Sequence, residues 1–167
     1  MPGAILHNWG AQVVIALTKS ADELRGVPAH QMDILQRMNI PIVERASLPS
    51  THDLILDTII GYSLNGAPRG MAADLISWAN KQNAPILALD TPSGLDVTSG
   101  MAYDPTIRAT ATLTLALPKQ GLLNPQSALY VGDLYLADIS VPPELYANTG
   151  ITVPPLFVES DLIRMIS

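Results

Sequence analysis

"DLILDTIIGYSLNGAPRGMAADLISWANKQNAPILALDTPSGLD", residues 53–96, decides the fold. Two apolar runs, "LILD" and "ILALD", each close on an aspartate, Asp57 and Asp90. Between them Met71, Leu75 and Trp78 recur at helical spacing, with Ala72, Ile76 and Ala79 beside them. That stripe predicts a helix from Met71 to about Lys81 lying on a sheet. Strand, helix and strand spanning 33 residues (57 to 90) form one βαβ unit. Its crossover is right-handed in about 98% of such connections, which makes the two strands parallel. Both carboxylates then fall at the carboxyl-terminal edge of the sheet, where open α/β sheets place their ligands.

Working outward, residues 12–18 are apolar on both faces and rich in Val and Ile, as in a strand covered on both sides. Ser20 with Glu23 has the pattern of a capping box, and Pro28 opens a helix running to about Met38. "IPIVE" (40–44), "ATATLTLAL" (109–117) and "DLYLADI" (133–139) read as further strands. The tail from Pro142 reads as irregular until "LFVESDLI". Strands alternating with helices predict an α/β fold, a doubly wound and mostly parallel sheet with helices on both faces. Residues 1–167 read as one domain. "MPGAILHNWG" looks like the tail of a helix without a start, which predicts an N-terminally truncated domain.

Composition narrows the chemistry. With 48% hydrophobic and 14% charged residues, the chain is too apolar for disorder and too interrupted for a membrane span. Nine Lys and Arg against fifteen Asp and Glu give a charge of -6 without a basic cluster, which argues against nucleic acid or a membrane as partner. The absence of cysteine excludes disulfides, thiol catalysis and cysteine-ligated metals, and suits a cytoplasmic location.

Each aspartate is followed by an unusual loop. After Asp57, "TIIGYSLNGAPRG" places Gly61, Gly66 and Gly70 where close backbone approach and exposed N–H groups suit phosphate or amide ligands. It is not a P-loop, because Ala67 and Pro68 follow Gly66 instead of Lys and Ser or Thr. After Asp90, Thr91 and Ser93 add hydroxyls, completing a hard-oxygen set suited to alkali or alkaline-earth cations. The plainer alternative is that Asp-Thr-Pro-Ser-Gly is turn chemistry and each aspartate a cap. Asp96 reads as a solvated loop acid, and Lys119, just past a strand end, as a solvated lysine, with reach to a phosphate as the alternative. His7, His30 and His52 have no ligand spacing, and Trp78 reads as core.

"DLILDTIIGYSLNGAPRG", "APILALDTPSGLDVTSG", "LTLALPKQGLL" and "VGDLYLADISVP" occur in the order found in NAD(P)H-hydrate epimerases, and residues 5–146 resemble that YjeF N-terminal domain family. The resemblance implies a Rossmann-like fold and interconversion of the R and S forms of hydrated NADH and NADPH (NADHX and NADPHX) in nicotinamide nucleotide repair. It implies a potassium ion held by Asp57 and Ser93. It makes Gly61, Tyr62, Ser63, Leu64, Asn65, Gly66 and Ala67 a substrate-binding loop and Asp90 the substrate-contacting acid, with acid–base catalysis as its role. It also implies a homodimer and an ADP- or ATP-dependent NAD(P)H-hydrate dehydratase, separate or fused, as partner. The family's Asn-Asn-Gly-Gly-Asp segment has no counterpart here, so the alternative is a non-catalytic nucleotide-binding or protein-interaction module.

Overall fold

The computed structural model describes residues 2–148, 150 and 152–165. The chain forms two compact units, Met1–Thr51 and His52–Ser167.

The first unit runs α1 (Pro2–Asn8), β1 (Ile15–Ala16), α2 (Val27–Arg37) and β2 (Ile42–Val43), with β1 and β2 paired in parallel. Its ladder is shorter than the apolar run 12–18 predicts, because β2 offers only Ile42 and Val43 as partners. Pro41 before them has no N–H to extend it, although its carbonyl accepts from Ile15 N at 2.9 Å. Helix α2 carries Pro28 in its first turn, buries Met32 and Leu35, and is followed by Asn39 at φ 55. The Ser20–Glu23 capping box does not form: residues 21–23 make a single 3₁₀ turn and the Ser20 side chain accepts no cap bond. Leu24 returns at once to extended backbone, so there is no helix there to cap.

The second unit contains β3 (Ile55–Asp57), α3 (Gly70–Ala79), β4 (Ile86–Leu89), β5 (Ala111–Leu115), α4 (Ala128–Val131), β6 (Asp133–Ala137), α5 (Pro143–Asn148) and β7 (Leu162–Arg164). Five strands lie in the order β3-β4-β5-β6-β7. The first four are parallel and β7 runs antiparallel to β6, so the sheet is mostly parallel and the fold is α/β. Strand β7 escapes the sequence reading because a three-residue edge strand carries too little periodicity to stand out from an irregular tail.

Helix α3 packs on β3 and β4. Ile76 and Ala79 meet Ile86, Ala88, Ile107 and Ala109, with Ile55, Ile59, Ile60 and Trp78 closing the cluster. Ile76 is wholly buried, which stabilises by about 1.5–3 kcal/mol relative to exposure. Met71, predicted on the same stripe, is 40% exposed. The His52 ring, 5.1 Å from Trp78, packs edge-to-face on it, and its Nε2 is buried without a hydrogen-bond partner. A second cluster joins Leu95, Leu122, Val131 and Leu134. No helix among the described residues is long and apolar enough to cross a membrane.

Candidate functional site

Asp57 is the last residue of β3 and is buried. Its carboxylate reaches across to the turn that follows β4. Oδ2 accepts from Ser93 N at 2.7 Å, and Oδ1 accepts from Ser93 Oγ at 2.6 Å and Ile59 N at 3.2 Å. Burial pushes the Asp57 carboxyl above the ordinary 3.8, against the pull of the bonds from Ser93 and Ile59. No basic side chain pairs with it among the described residues. Ser93 Oγ in turn accepts from Ile60 N at 2.8 Å, and Ile60 O stands 3.2 Å from it. The end of β3 and the turn after β4, 36 residues apart at Asp57 and Ser93, are thus tied by one carboxylate and one hydroxyl.

The turn that presents Ser93 needs Gly94. At φ 99, a Cβ there would stand 2.5 Å from Pro105 O and 2.6 Å from Thr106 Oγ1. The Gly94 carbonyl accepts from Tyr103 N at 3.0 Å and Thr106 Oγ1 at 2.9 Å, and Ser93 O accepts from Ile107 N at 2.9 Å. Thr91, at 1% exposure, has a hydroxyl with no partner among the described residues.

The loop after β3 walls a cavity of about 350 Å³. Ile60, Ser63, Leu64, Asn65, Gly66, Ala67, Pro68 and Arg69 line it. Of the predicted loop, Gly61 and Tyr62 do not line the cavity, and the Tyr62 ring is 68% exposed. Ile60 connects this wall to the Asp57–Ser93 pair through its bond to Ser93 Oγ. Helix α3 begins immediately after the loop at Gly70, whose φ of 56 suits glycine.

Asp90 stands just past β4 with φ 69, a left-handed conformation that costs a non-glycine about 1–2 kcal/mol. Its neighbour at the end of β5, Ala116, has φ 64. Strain of this kind gathers at functional sites. Asp90 N donates to Leu113 O at 2.8 Å, which continues the β4–β5 ladder past the last paired residues. Its side chain is 25% exposed and forms an ion pair with Lys119, itself only 18% exposed. The sequence reading of Lys119 as a solvated lysine is therefore wrong: its Nζ donates to Asp90 Oδ1, to Thr114 Oγ1 at 2.9 Å and to Leu115 O at 3.0 Å. The pattern "LPKQG" gives its proximity to a strand end, but the turn at Ala116 that folds it back over Asp90 has no sequence signature.

Asp96 is a local cap: Oδ1 accepts from Ser99 N, Ser99 Oγ and Thr98 N at 2.7, 2.9 and 3.0 Å. The Ser99 bonds hold its carboxyl below 3.8. His7 and His30 lie in the first unit, and no group of three or more His, Cys, Asp or Glu able to hold a metal occurs among the described residues.

An NAD(P)H-hydrate epimerase of Dehalogenimonas lykanthroporepellens is 41% identical over 98% of this chain and 65% of its own length. One of Truepera radiovictrix is 39% identical over 92% of the chain and 68% of its own length. A bifunctional NAD(P)H-hydrate repair enzyme of Moorella thermoacetica is 35% identical over 86% of the chain but only 29% of its own length. The chain thus spans about two thirds of the single-activity relatives and under a third of the bifunctional one. The crystal structure of yeast ynu0 superposes with a TM-score of 0.77 over 98% of this chain and 70% of that one, at 18% identity, which confirms the fold. The sequence profile described as "YjeF-related protein N-terminus" matches residues 1–121, a span that takes in β3, β4, Asp57, Asp90 and Lys119, and the chain belongs to that family.

Proposed function

We propose that this chain is an NAD(P)H-hydrate epimerase domain, interconverting the R and S forms of hydrated NADH and NADPH in the cytoplasm. The observation that carries the reading is Asp90: a carboxylate at the carboxyl-terminal edge of a parallel sheet, held in a strained backbone by neighbours from the next strand. Relatives named for this activity support it.

The hydrated ring carries a hydroxyl on the carbon beside its nitrogen. Departure of that hydroxyl as water consumes one proton and leaves an iminium cation. Water then adds to the opposite face and releases one proton. A single carboxyl serves both halves, since the protonated form supplies the first proton and the carboxylate takes back the second. A carboxylate beside the ring also stabilises the cation between the two steps. The cavity walled by Ser63–Arg69 suits the nucleotide part of such a substrate, with backbone N–H groups and Arg69 available to phosphate oxygens.

The Asp57 pair fits a potassium ion. Its atoms are hard oxygens, its carboxylate is buried with no cationic side chain beside it, and Thr91 leaves a further hydroxyl uncommitted in the same turn. Potassium held by Asp57 and Ser93 would supply the positive charge that this buried carboxylate lacks. A dehydratase that consumes one epimer is the corresponding partner activity, and relatives named as bifunctional NAD(P)H-hydrate repair enzymes support that reading.

The test is exchange between purified R and S hydrates, followed by chromatography. The chain should equilibrate them, and Asp90→Asn, nearly isosteric, should lower the rate about 10²–10⁴-fold. A wild-type chain that binds the hydrates without exchanging them would leave a non-catalytic binding module, and an unimpaired Asp90→Asn would remove the acid–base role.

A further inference from the structure

Among the described residues, every hydrogen bond to the Asp90 side chain ends on one of its two oxygens. Lys119 Nζ, Thr114 Oγ1 at 3.5 Å and Leu115 N at 3.4 Å all converge on Oδ1. Oδ2 has no partner among the described residues, and it is not one of the buried unsatisfied atoms, so it is open to solvent or substrate. The ammonium is equally one-sided. Its three N–H bonds are all committed, to Asp90, Thr114 and Leu115, leaving none to turn toward another group.

Resting on the epimerase reading above, we infer that Lys119 is a positioning residue that clamps Oδ1 of Asp90, with Thr114 as its second anchor, so that Oδ2 alone is the reacting oxygen.

The arrangement carries this assignment in three ways. A carboxylate can rotate about its χ2 and exchange its oxygens, but three donors gathered on one oxygen oppose that rotation. The clamp comes from a different strand, with the anchors Thr114 and Leu115 on β5, so the orientation of the carboxylate is fixed from outside its own turn. Finally, Asp90 and Ala116 both adopt positive φ, at the strand ends that bring the acid and the lysine together. A salt bridge kept for stability alone gives no reason for two strained backbones, because a partly buried pair contributes little net stability. A carboxylate that must present one oxygen does.

A double-mutant cycle in the exchange assay tests this. Lys119→Met should lower kcat about 10²-fold, the scale of a mispositioned catalytic group, and leave KM nearly unchanged. In an Asp90→Asn background the same substitution should cost nothing further, since Lys119 would have no carboxylate left to orient. Lys119→Arg should recover only part of the rate, because a planar guanidinium cannot reproduce three bonds from one nitrogen. Thr114→Val, which keeps the buried volume and deletes one anchor, should move kcat the same way by a smaller factor, and it serves if Lys119→Met fails to fold. Equal losses in the wild-type and Asp90→Asn backgrounds would overturn the inference while leaving the epimerase reading intact. A wild-type chain that exchanges no hydrate would overturn both.

Discussion

Replacing Gly94 by alanine should destabilise the second unit by about 2–5 kcal/mol, and the figure follows from two separable terms. The left-handed backbone at φ 99 costs an L-residue about 1–2 kcal/mol. The new methyl would also sit 2.5 Å from Pro105 O, 2.6 Å from Thr106 Oγ1 and 2.8 Å from Thr106 Cα. Two of these are backbone atoms, so relief requires moving the chain, and overpacking of this kind costs about 1–3 kcal/mol more. Gly66 separates the terms. Its φ is 85, yet nothing lies within 4 Å of its ideal Cβ. Gly66→Ala should therefore lose only the backbone share, about 1–2 kcal/mol. Urea unfolding followed by tryptophan fluorescence measures both. A Trp9→Phe background leaves Trp78, packed on the α3 cluster, as the sole reporter on the second unit. Loss of less than about 1 kcal/mol for Gly94→Ala, or equal losses at the two glycines, would refute the reasoning. Because Ser93 precedes Gly94, the relaxation that accommodates a methyl should also draw Ser93 away from Asp57 and weaken any potassium response.

Asp57→Asn should be tolerated within about 1 kcal/mol, since an amide can still accept one Ser93 bond while the buried charge disappears. Asp57→Ala, which strands Ser93 N and Oγ, should cost about 3 kcal/mol or more in the same unfolding assay. The pH dependence has a definite sign: burial raises the folded Asp57 above 3.8, so the native state binds more protons than the unfolded chain, and stability falls as pH rises through the window above 3.8. Unfolding midpoints across that window should flatten in Asp57→Asn, and an unchanged slope would count against the burial argument. Asp96 should titrate in the opposite sense in a carbon-detected NMR experiment, with a midpoint below 3.8 that Ser99→Ala moves back up. Its stabilising contribution is present above its unfolded value and disappears as pH falls through the folded one.

The parts of the fold legible in the sequence are those that depend on local pattern. β3, α3 and β4 were predictable because apolar spacing changes from strand-like to helical and back between Leu54 and Asp90, and each strand stops at an acid. The edge that gathers Asp57 and Ser93 follows from the parallel crossover alone. What the pattern leaves out depends on long-range choices. Lys119 meets Asp90 across 29 positions because Ala116 adopts an unusual φ, and an alanine gives no sign of that in a string of letters. Tyr62 stands within the glycine-rich loop but turns to solvent, since spacing locates a loop without stating which residues face its cavity. Ser20 and Glu23 have the right chemistry for a cap and no helix to follow, because Leu24 takes an extended conformation.

The unbroken strand order β3-β4-β5-β6-β7 has a consequence for how the chain acquires its shape. Every ladder joins a strand to the one that follows it in sequence, so no pairing waits for a distant segment and each closure spans a connection of modest length. The sheet can therefore grow in one direction as synthesis proceeds, with β3 and β4 docking around α3 before β5 is made. At each stage the newly added strand is the one that its successor covers, which shortens the time that this edge can pair with another nascent chain. β7 ends the series by reversing direction on β6, and truncations that remove it should be recognised first by aggregation during expression rather than by loss of the Asp57 and Asp90 geometry, four and three strands away.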